Sequence, residues 1–118
     1  MKKIATNNAP AAIGPYSQAI FANGFLFSSG QIAINPQTGE LVDGGITAQT
    51  RQVFANLGEV LKAAQMDFED VVKTTVFLAD MNDFGQMNAI YGEFFTQNLP
   101  ARSAVAVKTL PKGALIEI

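Results

Sequence analysis

Four short runs in this chain are apolar at consecutive positions: Phe25-Leu26-Phe27, Val71-Val72, Val76-Phe77-Leu78 and Ala104-Val105-Ala106-Val107. Side chains alternate across a strand, so an unbroken apolar run places hydrocarbon on both faces of the sheet that contains it. Only two segments carry helical periodicity, and two helices of that size cover one face. The other face would then expose an apolar patch larger than soluble monomers carry, roughly a few hundred Å². The chain is therefore expected to form a homo-oligomer whose sheets face inward.

The helical segments are separated by strand signals. From about Thr47 to Ala64, apolar residues recur at Val53, Leu57, Val60, Leu61 and Ala64, while Gln49, Arg51, Gln52, Glu59 and Lys62 take the other side. A second set, Phe84, Met87, Ile90, Tyr91, Phe94 and Phe95, follows Asn82 or Asp83 as N-cap. Asn23-Gly24 between apolar residues predicts a tight hairpin. Gln31-Ile32-Ala33-Ile34 reads as an extended continuation ended by Asn35-Pro36-Gln37-Thr38-Gly39. Val71–Leu78 reads as a strand, and Pro100 stops the second helix and starts another. The order is hairpin, strand, helix, strand, helix, strand, strand, an α+β single domain over residues 1–118.

Composition removes several classes of chemistry. At 118 residues, 48% of them apolar and 15% charged, the chain has the composition of one folded core. It contains no cysteine and no histidine. Disulfides, thiolate nucleophiles, Cys/His zinc sites and imidazole acid–base chemistry are thus excluded. A net charge of −2 and six scattered lysines leave no basic stripe for a polyanion, which argues against nucleic acid. Lys2-Lys3 is not followed by an apolar stretch, and no segment has the length of a membrane span, so a cytoplasmic protein is expected.

Two charged residues interrupt the apolar strands. Arg102 opens the run Pro100–Val107, and Glu117 sits between Ile116 and Ile118. Burying either is costly unless something satisfies it, so the pair meets each other or meets a ligand. A guanidinium fork grips a carboxylate bidentately, which a lysine cannot reproduce; a strand-edge salt bridge is the alternative. Glu117 is either the solvated side of a terminal strand or a carboxylate that holds water. Gly14-Pro15-Tyr16-Ser17 and Ser28-Ser29-Gly30-Gln31 offer a phenol, hydroxyls and an approachable backbone, though turns use the same residues. Asn88 among the apolar positions of the second helix reads first as a satisfied core amide.

Taken together, these segments resemble the RidA family of enamine/imine deaminases, also called the YjgF family. The likeness runs from Asn8-Ala9-Pro10 and Ile13-Gly14-Pro15-Tyr16-Ser17 through Ser29-Gly30-Gln31-Ile32, Val72-Lys73-Thr74-Thr75-Val76-Phe77-Leu78 and Asn82-Asp83-Phe84. It continues through Pro100-Ala101-Arg102-Ser103 and Leu110-Pro111-Lys112 to Ile116-Glu117-Ile118. The resemblance implies a chorismate-mutase-like fold, a mixed sheet with two helices packed on one face, and a homotrimer with sites in the clefts between subunits. It implies that Arg102 binds a substrate carboxylate and that Glu117 positions the hydrolytic water. Tyr16, Ser29 and Asn88 would line the site, and Gly30 and Ala104 would contribute main-chain groups. Ala104 stands where many relatives carry cysteine, a position thought to act through its backbone. The last strand ends sooner than is usual in the family, so either the sequence is cut short there or the strand frays, and both would loosen Glu117.

The activity so implied is hydrolysis of 2-aminoacrylate-type enamines and their imines to 2-keto acids and ammonia, the enamines being released by pyridoxal-phosphate dehydratases. No metal or organic cofactor is needed, because the imine carbon is already electrophilic. Two other classes stay open: a non-catalytic keto-acid-binding or chaperone-like trimer, and an RNA-directed translation inhibitor or ribonuclease, which the acidic charge disfavours.

Overall fold

The computed structural model describes residues 1–118. Strands β1 (Lys2–Ile4), β2 (Ala19–Ala22) and β3 (Phe25–Ser28) form an antiparallel sheet in that order. The turn between β2 and β3 is the Asn23-Gly24 pair, both at positive φ (52° and 81°), as a two-residue hairpin requires. Helix α1 (Gly45–Ala63) follows, then β4 (Lys73–Leu78), helix α2 (Phe84–Phe94), β5 (Ala101–Ala106) and the two-residue β6 (Ile116–Glu117). The second sheet is mixed, ordered β5-β4-β6, with β5 parallel and β6 antiparallel to β4. Gln31 and Ile118 exchange backbone hydrogen bonds of 2.9 and 3.1 Å, which tie the segment after β3 to the end of β6. That paired contact ties the residue after Glu117 to the segment after β3.

The helices lie on one side of the strands. Phe54 of α1 stacks on Phe94 of α2 with centroids 4.4 Å apart and planes 6° from parallel. With Met87, Ile90, Tyr91 and Phe95 it packs over Val76, Leu78 and Ile116. The far end of α1 covers the first sheet, where Val60 joins Ile4, Ala9 and Ala19. The opposite side stays bare: Phe25 is 59% exposed, Phe27 62% and Val105 47%. The two-faced apolar strands and the one-sided helical cover thus agree with the sequence.

The structure adds to or corrects the local reading at three places. Lys2–Ile4 forms β1, which its composition does not announce; its pairing with β2 supplies the pattern, and only Ile4 is buried. Gln31–Ile34 is not a regular strand. There the buried Asn56 side chain donates to the carbonyls of Ile32 and Ile34 (3.1 and 3.0 Å), while backbone pairing is limited to Gln31 with Ile118, the Ala33 carbonyl with Val42 and an isolated Ile34–Leu41 bridge. Asp83 takes the N-cap position of α2, as expected, but its side chain makes no capping hydrogen bond. A single 3₁₀ turn at Met81–Asp83 leads into the helix, and Asp80 caps that turn by accepting from the Asn82 N–H at 2.8 Å.

Candidate functional site

Arg102 lies on β5 directly beside Thr74 of β4, on the face that the helices cover. Its Nη1 donates to Asn88 Oδ1 at 2.7 Å. Its guanidinium carbon stands 4.7 Å from the Tyr91 ring centre and 5.3 Å from that of Phe84. Phe84, Asn88 and Tyr91 are spaced i, i+4, i+7 on α2, so one helical stripe presents two aromatic faces and an amide to one cation. Asn88 is exposed, not a core amide as first read. The reason is visible in its partner: the amide turns toward Arg102 at the surface. Arg102, Asn88 and Tyr91 border a recess of about 400 Å³ together with Gly92, Leu99 and Pro100.

Arg102 does not meet Glu117. The one ion pair in the chain joins Arg51 to Glu93 through two 3.0 Å hydrogen bonds. Arg102 is a half-buried cation whose neighbours are neutral, and it presents a fork without an anion.

Glu117 pairs with Phe77 across β4 and β6, one residue out of phase with buried Ile116, so its side chain takes the face opposite to Arg102. It borders a cavity of about 600 Å³ shared with Ser29, Gly30, Lys73, Thr75 and Phe77. That cavity opens where β6 leaves Lys73–Thr75 of β4 unpaired on one edge. Gly30 is a close-approach glycine: a Cβ there would collide with the Glu117 carboxyl, reaching its Cδ at 2.9 Å and its Cγ at 3.0 Å. Burial pushes the Glu117 carboxyl above its ordinary 4.5, because desolvation disfavours the charged form.

The remaining candidates divide between the same two places. Ser29 donates its hydroxyl to the Ser17 carbonyl at 2.6 Å and its N–H to the Gln18 carbonyl at 3.0 Å, fastening the Tyr16 loop beside Glu117's strand. Tyr16 is 53% exposed, and its hydroxyl accepts from the Ile13 N–H at 3.4 Å. Ala104 follows Arg102 on the same face of β5, beside Val76. Arg102, Asn88 and Ala104 therefore form one group; Glu117, Gly30 and Ser29 form another, with Tyr16 on the adjoining loop. Neither of these two cavities borders both groups. Sequence reading missed Tyr91 and Phe84 as the support of Arg102, although their spacing from Asn88 was the available signal. It also missed Lys73, whose Nζ donates to Ser103 Oγ at 3.0 Å on the open face. No three acidic side chains stand together in a geometry that would hold a metal ion.

An α+β protein with an open apolar sheet face and an arginine held on an aromatic platform is the class these features define. Residues 6–118 match the family described as Endoribonuclease L-PSP, and the chain belongs to that family, which includes the YjgF and RidA proteins. It is 54% identical over 99% of its length to a mouse protein named 2-iminobutanoate/2-iminopropanoate deaminase, of which it covers 87%. The human protein of that name is 53% identical, with 98% of this chain and 84% of that protein aligned. Among solved structures, a Rid-family protein from Yersinia pestis superposes with a TM-score of 0.96 at 53% identity, covering 98% of this chain and 93% of that one. The YjgF product of E. coli gives 0.93 at 48% identity, covering 99% and 94%.

Proposed function

We propose that this protein hydrolyses 2-aminoacrylate-type enamines, through their 2-imino acid tautomers, to 2-keto acids and ammonia. The observation that carries the reading is Arg102, a cation preset by Asn88, Tyr91 and Phe84 and lacking an anionic partner in its own chain. A small 2-imino acid brings the missing carboxylate, and the bidentate fork fixes the imine carbon next to it. The names of the mouse and human relatives support the same substrate class.

In this reading Glu117 holds a water and accepts its proton as oxygen adds to the imine carbon. Glu117 returns that proton to nitrogen in the tetrahedral adduct, the hydroxyl proton follows to nitrogen as the C–N bond breaks, ammonia leaves and the keto acid remains. General acid–base help of this kind supplies on the order of 10²–10⁴ in rate, enough for an imine that already hydrolyses unaided. Tyr16, Ser29 and the main chain at Gly30 and Ala104 orient water and substrate.

The site is completed between copies. Arg102 and Glu117 lie on opposite faces of one protomer, and the bare face with Phe25, Phe27 and Val105 calls for a covering surface. A homotrimer with its sheets inward brings the Arg102 group of one copy against the Glu117 group of the next, in a cytoplasmic protein that needs no cofactor. No helix is long and apolar enough to cross a membrane.

The test couples a dehydratase that releases the enamine to keto-acid detection. Added protein should accelerate release, and Arg102→Ala should abolish the acceleration; equal rates with and without protein would sink the proposal. Glu117→Gln that keeps keto-acid binding but loses turnover separates an enzyme from a sensor. RNA cleavage is the weaker reading, since the chain has neither a histidine nor excess positive charge.

A further inference from the structure

We propose that Tyr91 is a positioning residue for carboxylate capture, acting through Arg102; the proposal rests on the imino-acid reading above. Tyr91 is 7% exposed. Its ring packs edge-on against Phe54 (centroids 5.6 Å, 77°) and tilted against Phe95 (4.8 Å, 44°), so the aromatic core fixes where it sits. Its hydroxyl shares a 2.7 Å hydrogen bond with Thr74 Oγ1. Thr74 is the residue of β4 that stands beside Arg102 in the sheet.

The contacts close a ring of three elements: β5 carries the guanidinium, α2 the aromatic face beneath it, and β4 the hydroxyl that stops that face from turning. Asn88 occupies Nη1 of Arg102, leaving the other donors of the fork for a ligand. A free arginine side chain loses rotamer freedom on binding. One already seated on Tyr91 has lost it beforehand, so binding costs less. The tyrosine face also attracts the cation without neutralising it, as a carboxylate neighbour would. The platform thus leaves the full charge for the substrate.

The experiment compares Tyr91→Leu, Tyr91→Phe, Thr74→Val and the double Tyr91→Phe/Thr74→Val variant. Readouts are the Kd for 2-oxobutanoate, the KM and kcat of the coupled reaction, and the NMR order parameter of the Arg102 Nε–H without ligand. Tyr91→Leu should raise Kd and KM by roughly 3- to 30-fold with kcat little changed, and the Arg102 signal should lose order. Tyr91→Phe and Thr74→Val should each give a smaller change in the same direction. Their double should be no worse than either, because both cut one bond. Unchanged Kd and unchanged Arg102 order in Tyr91→Leu, or additive losses in the double variant, would overturn the proposal. If Tyr91→Leu does not fold, the two conservative variants and their double decide alone. Failure of the unmutated protein to bind 2-oxobutanoate would instead remove the imino-acid reading, while the ligand-free order parameter still reports on the platform.

Discussion

Arg102 and Glu117 occupy opposite faces of one three-stranded sheet, Arg102 beside Thr74 and Glu117 beside Phe77. Their strands flank β4 on its two sides, so the pair is separated by a strand as well as by a face. A site that uses both must draw them from different copies. That single relationship turns the bare apolar face from a solubility problem into part of the proposed catalytic arrangement.

Assembly should depend on that face. Replacing Phe27 and Val105 together by Gln removes apolar contact area without adding charge, and neither side chain is needed for the core. Sedimentation should show the mass falling toward the 12.6 kDa protomer, with turnover lost in parallel. Retained assembly and activity would place the interface elsewhere.

Gly30 should be more important for activity than for stability. Its backbone is not at positive φ, so alanine is conformationally allowed, and the obstruction is the Glu117 carboxyl. A flexible carboxyl can move aside. Gly30→Ala is therefore expected to change stability by less than about 1 kcal/mol. The displaced carboxylate should cost at least roughly tenfold in kcat/KM. A variant as active as the parent would show that Glu117 has no fixed position to keep.

The titration of Glu117 provides a pH test. In the dissociated Phe27→Gln/Val105→Gln protomer, burial should hold its carboxyl above 4.5, measurable by side-chain carbon NMR. In the assembled protein a neighbour's guanidinium works against burial, and the titration should fall. For the protomer the linkage has a definite sign. The raised folded value means the contribution to stability is present below 4.5 and is lost as pH rises through the folded value. Glu117→Gln lacks that loss, so its Tm advantage over the same protomer should appear above 4.5, grow as pH rises and level off once pH passes the folded value. A constant difference across that window would contradict the burial argument.

Core stability should centre on Phe54. It is wholly buried and touches the rings of Phe68, Tyr91, Phe94 and Phe95. Phe54→Ala should cost about 3–5 kcal/mol in denaturant unfolding. Because Phe54 also fixes the Tyr91 ring, the milder Phe54→Leu should loosen keto-acid binding as well as stability.

Much of this architecture can be read from local pattern. The Asn23-Gly24 turn, α1 and α2 and the two-faced strands follow from positive φ and from periods of two and 3.6, all local properties. β1 escapes because three residues with two lysines carry no period, and its existence depends on pairing with β2. Gln31–Ile34 looks like a strand by composition, but the Asn56 amide claims two of its carbonyls from a helix more than twenty residues away. Arg102 and Glu117 stand out as charges in apolar runs. That they face apart depends on the register of both strands against β4, which no local signal encodes. Asn88 reads as a core amide for the same reason: its partner lies on strand β5, distant in sequence.

Subunit complementation addresses the shared site most directly. Arg102→Ala and Glu117→Gln proteins, each nearly inactive, are unfolded together in equal amounts and refolded. Random reassembly should restore roughly a quarter of the parental activity, since each site then draws an intact Arg102 from one copy and an intact Glu117 from its neighbour in one arrangement of four. A refolded mixture that assembles yet stays as inactive as its components would contradict a site built across the seam.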